Sequence, residues 1–438
     1  MRGRIRSLAY IACGAGMVPS LRAAAAAPAA TASRVSVLTS FPADVVAAYK
    51  AAYEAAAPGV VMEAVPRNSS ELPGYLASLP AGSRPDVVWA SDPGAFATMA
   101  QRGLLQPAPG VRNPGIPARI GQFPMNGPDG LYFGQALSGY GLMWHEGNLR
   151  RHGLRIPTGW QDLAAAAYDE HVAMSSPLRS GTTQLMIETV LQAEGWDAGW
   201  ALWAFIAGHC PDIAPRSADV PVDVAAGRAG VGLVVDFLAL AARAGGAPVS
   251  FAYPPNTAVL PASIGVVAGA RSPHEGERFV RYALSDPGQV LLYDPRIRRM
   301  PASPFAAASM QVPADFPNVY AVARKSPLNF DLGLYESRRA LVAALFERTI
   351  TRPHAELRQA VQAIHQAERE PARPAGAAAL QRLGRARALV SQPVVSAAQS
   401  LQQRTRADLA EAGSEGRHAW TEAARANYRE AVRLARQR

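Results

Sequence analysis

Arg84-Pro85-Asp86-Val87-Val88-Trp89-Ala90-Ser91-Asp92-Pro93 decides how this chain is read. Val87 to Ala90 is a short uninterrupted apolar run, the pattern of a strand buried on both faces. The polar turn after it hands over to a helix predicted over residues 94–102. The same unit stands upstream: Val35-Ser36-Val37-Leu38-Thr39 ends at Ser40-Phe41-Pro42 and leads into a helix over about 44–56. A second strand is expected over 60–64 and a helix over 72–79. Strand and helix alternating in this way build a mostly parallel sheet with helices on both faces. Such sheets bind ligands at the carboxyl ends of their strands, where Ser40 and Ser91 stand.

Further on, a strand over 131–137 continues through the glycine-rich Ser138-Gly139-Tyr140-Gly141-Leu142-Met143-Trp144. A short helix over 146–152 and another from Asp162 follow. Then Val172-Ala173-Met174-Ser175-Ser176-Pro177-Leu178-Arg179-Ser180-Gly181-Thr182-Thr183 reads as a buried strand, a polar turn and the start of a helix. That turn gathers orphan backbone N–H groups, hydroxyls and one guanidinium. Helix N-termini carry partial positive charge, and arginine adds a planar fork for carboxylate or phosphate. Two readings stay open: an anion-holding loop, or a helix merely capped by Ser180 or Thr182 with Arg179 in water.

A helix is expected over 200–207, a buried strand over 231–235 ending at Asp236, and strands near 249–253 and 262–268 returning to the first sheet. Helices over 274–284 and from Gln289 follow. Beyond Leu328 the character changes. Helical spacing recurs over 334–348, 354–369, 377–389, 395–412 and 418–436, broken at Glu370-Pro371-Ala372-Arg373-Pro374. This stretch has no lysine, and its 18 arginines against 11 acidic residues from Asp331 onward read as solvated helix faces.

A chain of 438 residues can bury two cores, and 49% hydrophobic with 18% charged residues is a globular composition. The formal charge of +10 resembles a nucleic-acid signal, but its distribution does not. The excess lies in the leader and the helical tail; residues 34–325 balance 22 basic against 23 acidic residues. No nucleic-acid footprint is expected on the body. Arg2, Arg4 and Arg6, an apolar stretch over 8–21 and small residues after it read as an export signal over 1–33. A periplasmic location follows as an expectation. Of the two cysteines, Cys13 would leave with that leader, so Cys210 has no partner and thiolate metal sites are excluded.

The chain resembles the periplasmic solute-binding proteins of ABC transporters, in the branch that includes iron(III)- and organophosphate-binding members. The marks run in order from Ser40 and the Pro85-Asp86-Val87-Val88-Trp89 strand through Ser138-Gly139-Tyr140-Gly141-Leu142, Trp160-Gln161-Asp162-Leu163 and Ser180-Gly181-Thr182. Gly195-Trp196-Asp197-Ala198-Gly199-Trp200 and Leu284-Ser285-Asp286-Pro287-Gly288-Gln289 complete the set. A narrower likeness is to regulators of phosphoglycerate transport in enteric bacteria. It rests on Met174-Ser175-Ser176-Pro177, the Gly195 to Trp200 motif and the helical tail.

The resemblance implies an α/β, two-lobed periplasmic-binding-protein type II fold with a C-terminal α-helical extension and lobes that close on ligand. The expected divisions are lobe 1 at 34–136 and again at 251–330, lobe 2 at 137–250, and the extension at 331–438. The lobe crossings would fall near Leu137–Gly141 and Val249–Tyr253. The implied partners are a small anionic ligand and an inner-membrane ABC permease or a membrane sensor kinase, with the protein itself a monomer.

Iron-binding relatives use adjacent tyrosines after the strand matching 231–235, where this chain has Asp236-Phe237-Leu238. That departure argues against iron, the alternative ligand, and leaves hydroxyls, amides and Arg179, matched to phosphate or carboxylate. The candidate ligand set is Ser40, Phe41, Ser91, Ser138, Tyr140, Ser176, Arg179, Ser180, Gly181, Thr182, Thr183, Arg216, Asp236 and Tyr253. Asp236 either accepts from ligand hydroxyls or an amine, or pairs with a nearby arginine. Arg216 is either a second anion contact or surface; Tyr140 and Tyr253 either cover ligand or pack. The histidines lack metal-ligand spacing, and no nucleophile elbow or acid–base pair stands out. No cofactor, no metal and no catalysis are expected.

Overall fold

The computed structural model describes residues 32–309, 312, 316–369, 376–402 and 414–437. Almost all of the expected leader, the break at 370–374 and most of the helix expected over 395–412 lie outside the described residues. Among those described, no helix is long and apolar enough to cross a membrane.

The strands, in chain order, are β1 Ser33–Thr39, β2 Val60–Pro66, β3 Val87–Ala90, β4 Leu105–Gln106, the small hairpin β5 Arg119–Ile120 and β6 Phe123–Pro124, and β7 Phe133–His145. They continue with β8 Val172–Ser175, β9 Ile213–Ala214, β10 Val231–Val235, β11 Val249–Ala252, β12 Val259–Val267 and β13 Met300–Pro301. β7 organises them. Its first half pairs antiparallel with β12 from Phe133 to Gly139, and its second half pairs with β10 from Tyr140 to Trp144. One strand thus belongs to two sheets, and the handover falls between Gly139 and Tyr140. The glycine is needed there: a Cβ on Gly139 would come 2.6 Å from the Tyr253 ring.

On one side of the handover the order is β2-β1-β3-β12-β7, and on the other it is β9-β8-β10-β7 with β11 on the far edge of β7. The two halves therefore repeat one design, with parallel strands at the outside and an antiparallel insertion beside β7. The chain returns to the first lobe between β11 and β12. The elements match the predicted type II architecture, but the strand predicted over 131–137 and the crossing after it are one continuous β7. The helix expected from Asp162 is only a 3₁₀ segment, Trp160–Ala164.

Lobe 1 buries apolar residues on both faces of its sheet. Val35, Trp89 and Phe279 lie on one face, and Leu38, Val88 and Phe96 on the other. Lobe 2 has a small outer cluster around Met143 and Val234, and a much larger one that runs on into the C-terminal helices. Leu341, Val342, Leu357, Val361 and Tyr428 share that core with Trp196, Trp200 and Trp203. The Gly195 to Trp200 motif faces this junction: Trp196 Nε1 donates to the Val395 carbonyl at 2.8 Å. Gly208 gives Val361 its room, since a Cβ there would meet Val361 at 2.6 Å. The extension is thus fused to lobe 2 by burial rather than tethered to it.

The histidines also meet at this seam. His209 Nε2 and His365 Nε2 lie 2.9 Å apart, with His209 Nδ1 donating to the Leu163 carbonyl and His365 Nδ1 3.0 Å from Glu368. Burial pushes His209 down to about 4, so it stays neutral. Among the described residues no group of three His, Cys, Asp or Glu side chains has metal-holding geometry. Cys210 is a buried free thiol whose pKa burial raises.

Candidate functional site

Two helix N-termini, one from each lobe, face each other where the lobes meet. In lobe 1, β3 ends at Ser91 and the helix Pro93–Gln101 is capped by Asp92, whose Oδ1 accepts from Gly94 N at 3.0 Å and Ala95 N at 3.3 Å. In lobe 2, β8 ends at Ser175 and the helix Gly181–Glu194 is capped by Ser180, whose Oγ accepts from Thr183 N at 3.1 Å. Ser175 and Thr183 join hydroxyl to hydroxyl, tying strand end to helix start. The two ends nearly touch: a Cβ on Gly181 would lie 3.1 Å from Asp92 Oδ2. Ser180 therefore does cap its helix, as the structural reading of the loop requires, and the cap still leaves other orphan donors in the first turn.

The charged group at the centre is Arg299, which sequence reasoning did not single out. Its guanidinium lies 4.0 Å above the Phe41 ring of lobe 1 and 3.7 Å above the Phe237 ring of lobe 2. Nη1 donates to Ser91 Oγ at 3.1 Å, and Nε has no hydrogen-bond partner among the described residues. The side chain is 1% exposed, and none of the described residues' carboxylates lies within ion-pair distance of it. Burial pushes it down to about 10, against the opposing field of Asp236. A buried guanidinium with no carboxylate in direct contact and one donor unused is costly, so the surroundings favour an anion beside it.

Backbone interactions hold Arg299 in place. β13 pairs with β7 at Leu137 and Ala136, Arg299 N donates to the Leu292 carbonyl, and Arg298 turns the chain with φ at +51°. Gln289 braces the same segment, accepting from Ser303 N and donating to the Gln135 carbonyl. Gln135 in turn accepts from Trp89 Nε1 at 3.2 Å, and Trp89 stacks edge-on with Phe41 at 4.5 Å. The Ser285 to Gln289 motif that marked the family thus positions the arginine. The only local signal for it was the run Arg296-Ile297-Arg298-Arg299-Met300, which resembles a surface turn.

The predicted residues divide. Phe41, Ser91 and Tyr140 share Arg299's neighbourhood, while Ser138 Oγ, next to the handover, is buried without a partner among the described residues. Burial raises the Tyr140 phenol well above its usual range, so it stays neutral. Ser40 lines an open groove of about 470 Å³ with Arg67, Asn68 and Glu71, which ends at the same Phe41. Ser176 is buried and accepts from Leu178 N. Gly181, Thr182 and Thr183 form the first helical turn, with Gly181 and Thr182 part-exposed. Arg179 is exposed beside Leu178, and Arg216 is exposed in an ion pair with Asp219 at 2.6 Å.

Asp236 is a different case. Its Oδ2 accepts from Gly139 N at 2.7 Å and from Tyr253 Oη at 2.8 Å, and its Oδ1 from Phe237 N at 2.7 Å. Burial raises it to about 6 despite those donors. Asp236 and Tyr253 thus pin both crossings to lobe 2 at the handover, and internal donors occupy both carboxylate oxygens.

A family model described as bacterial extracellular solute-binding protein matches residues 34–294. The phosphoglycerate transport regulatory protein PgtC of Salmonella typhimurium is 33% identical over 265 residues, and its counterpart in Salmonella typhi matches equally. The match covers 60% of this chain and 63% of those relatives, so the chain spans less than two thirds of their length. Among solved structures, the periplasmic binding protein AfuA of Actinobacillus pleuropneumoniae, with fructose-6-phosphate bound, superposes with a TM-score of 0.63 at 18% identity. It covers 72% of this chain and 98% of AfuA. Iron-bound HitA of Pseudomonas aeruginosa gives 0.58 at 15% identity, covering 71% and 98%. At these identities the superpositions establish the shared fold.

Proposed function

The chain belongs to the bacterial extracellular solute-binding proteins, and on that premise we propose that it captures a small phosphorylated or carboxylated metabolite between its lobes. It is a binding protein, not an enzyme; proteins of this kind bind small ligands and interact with membrane transporters. One observation carries the reading: Arg299, buried between an aromatic ring of each lobe, with Nε unpartnered and no carboxylate in direct ion-pair contact among the described residues, Asp236 acting on it only at longer range. An anion there would receive two charge-assisted hydrogen bonds or more, with Ser91, Ser138 and Tyr140 as neutral donors around it. The uncapped amides of Gly181 and Thr182 would add the field of the lobe 2 helix. The names of the relatives, a phosphoglycerate transport regulator and a sugar-phosphate binder, support a phosphate ester. A buried arginine opposes iron, because it would place two cations in one dry site.

The test is a thermal-shift and calorimetric screen of phosphoglycerates, phosphoenolpyruvate, hexose phosphates and phosphonates, with ferric iron as the competing ligand. Stabilisation by a phosphate ester that disappears in Arg299→Gln is expected. Stabilisation by ferric iron alone would overturn the reading.

The helical extension favours a regulatory role beside delivery, in which the loaded protein docks on a permease or a membrane sensor kinase in the periplasm. Arg429, Arg433 and Arg436 lie exposed along the helix Ser414–Arg436. Reversing their charge should spare ligand affinity and abolish transporter induction; induction that survives the reversal removes the role.

A further inference from the structure

We infer that the helix Leu332–Leu345 completes the ligand cleft, with the Tyr335 hydroxyl donating to a phosphate-ester ligand held by Arg299. The inference rests on the anion reading above and adds a wall from outside the two-lobed unit.

The helix is tied to both lobes by adjacent arginines. Arg338 grips Glu188 of lobe 2 with Nε at 3.0 Å and Nη2 at 2.7 Å, both side chains buried, while Trp196 lies 5.0 Å beneath it. Arg339 Nη2 reaches across to Asp92 Oδ2 of lobe 1 at 2.8 Å. Glu336 adds a second tie to lobe 1, accepting from Thr98 Oγ1 at 3.1 Å, and Gln184 of lobe 2 donates to the Arg339 carbonyl at 3.3 Å. Successive residues on one helix thus fasten it to both lobes, Arg339 at the N-cap of the lobe 1 helix and Arg338 two turns into the lobe 2 helix.

Tyr335 sits between those ties. Its ring abuts Gly94 in the first turn of the lobe 1 helix, where a Cβ would come 2.7 Å from Cε1. The side chain is fully buried, yet its hydroxyl has no hydrogen-bond partner among the described residues. Gly94 lies three residues after Ser91, whose hydroxyl accepts from Arg299, so Tyr335 and Arg299 flank the same lobe 1 turn. Ser138, two residues before Tyr140 and on the same face of β7, offers the second unpartnered hydroxyl. Arg299 Nε, Ser138 Oγ and Tyr335 Oη are three buried polar atoms without a partner among the described residues, each from a different part of the chain, two of them flanking the Ser91 to Gly94 turn. Their chemistry fits the oxygens of a phosphate ester: one cationic donor and two neutral ones.

Tyr335→Phe is a clean probe, because the hydroxyl it removes has no hydrogen-bond partner among the described residues. Titrations of the full chain, Tyr335→Phe and Arg299→Gln with 3-phosphoglycerate, fructose 6-phosphate and glycerol 3-phosphate are the experiment. The expected outcome is an unchanged or raised melting temperature without ligand, and an affinity on the order of tenfold weaker for the esters that Arg299→Gln no longer binds. Unchanged affinity in Tyr335→Phe alongside lost binding in Arg299→Gln overturns this inference alone. A full chain that binds none of the three esters overturns this inference together with the phosphate-ester ligand it rests on.

Discussion

The two turns that open on the cleft, Ala90 to Gly94 in lobe 1 and Ser175 to Thr183 in lobe 2, share one plan and differ in one charge. Both run strand, polar turn, helix, and both aim the positive end of the helix dipole at the same gap. Lobe 1 caps its helix with a carboxylate, so the dipole is met within the chain and Asp92 is further occupied by Arg339. Lobe 2 caps its helix with a hydroxyl, so its end keeps its positive field. Two helix ends of like design thus present unlike surfaces: the Asp92 end is neutralised within the chain by its cap and Arg339, while the Ser180 end keeps its positive field.

The strongest way to break this comparison is Arg299→Gln, which removes the buried cation bonded to the lobe 1 turn at Ser91. Ligand affinity should fall by about 2–5 kcal/mol, as for truncation of one partner in a buried charge pair, read by calorimetry. Asp92→Ala should cost about 1–2 kcal/mol of stability in urea unfolding, through the lost cap and the stranded Arg339. Ser180→Ala should cost only about 1 kcal/mol, the cap alone. Equal losses would mean that the Asp92 link to the C-terminal helix contributes nothing.

Glu336 sharpens the comparison through pH. Burial, then the neighbouring Asp92, raises it to about 7. A raised carboxyl favours the folded state when protonated, so its contribution is fully present below the ordinary value of 4.5 and is lost as pH rises through about 7. Glu336→Gln should therefore flatten the fall in unfolding midpoint between pH 5 and 8, and a slope unchanged from wild type would detach Glu336 from that fall. The smallest effect belongs to Arg179→Ala. The side chain is solvent-exposed, and the expected change in ligand affinity is within about 0.5 kcal/mol. A larger loss would move the anion contact outward, to the rim of the lobe 2 turn.

Local sequence carried the elements that frame the site. Val87 to Ala90 had to be a buried strand, Ser180 stood where a cap belongs, and the helix predicted over 354–369 was found at His354–Arg369. These follow from periodicity and capping, which act over a few residues. The ordered motifs carried the fold class, because strand–turn–helix units repeat with recognisable spacing.

What the sequence could not rank was which arginine is buried beside the proposed ligand site. Arg179, in a loop built for anions, is outside in solvent; Arg299, in a turn that looks like surface, is inside. Burial is decided by β13 pairing with β7 and by rings from two lobes closing on one guanidinium, contacts between residues more than 60 apart. The same holds for Tyr335 and for the Arg338–Arg339 pair. As sequence they are one stripe of an amphipathic helix in a charged tail. Only the packing of that helix across Asp92 and Glu188 places them at the cleft, because a side chain's surroundings are fixed by long-range closure and not by its neighbours in the chain.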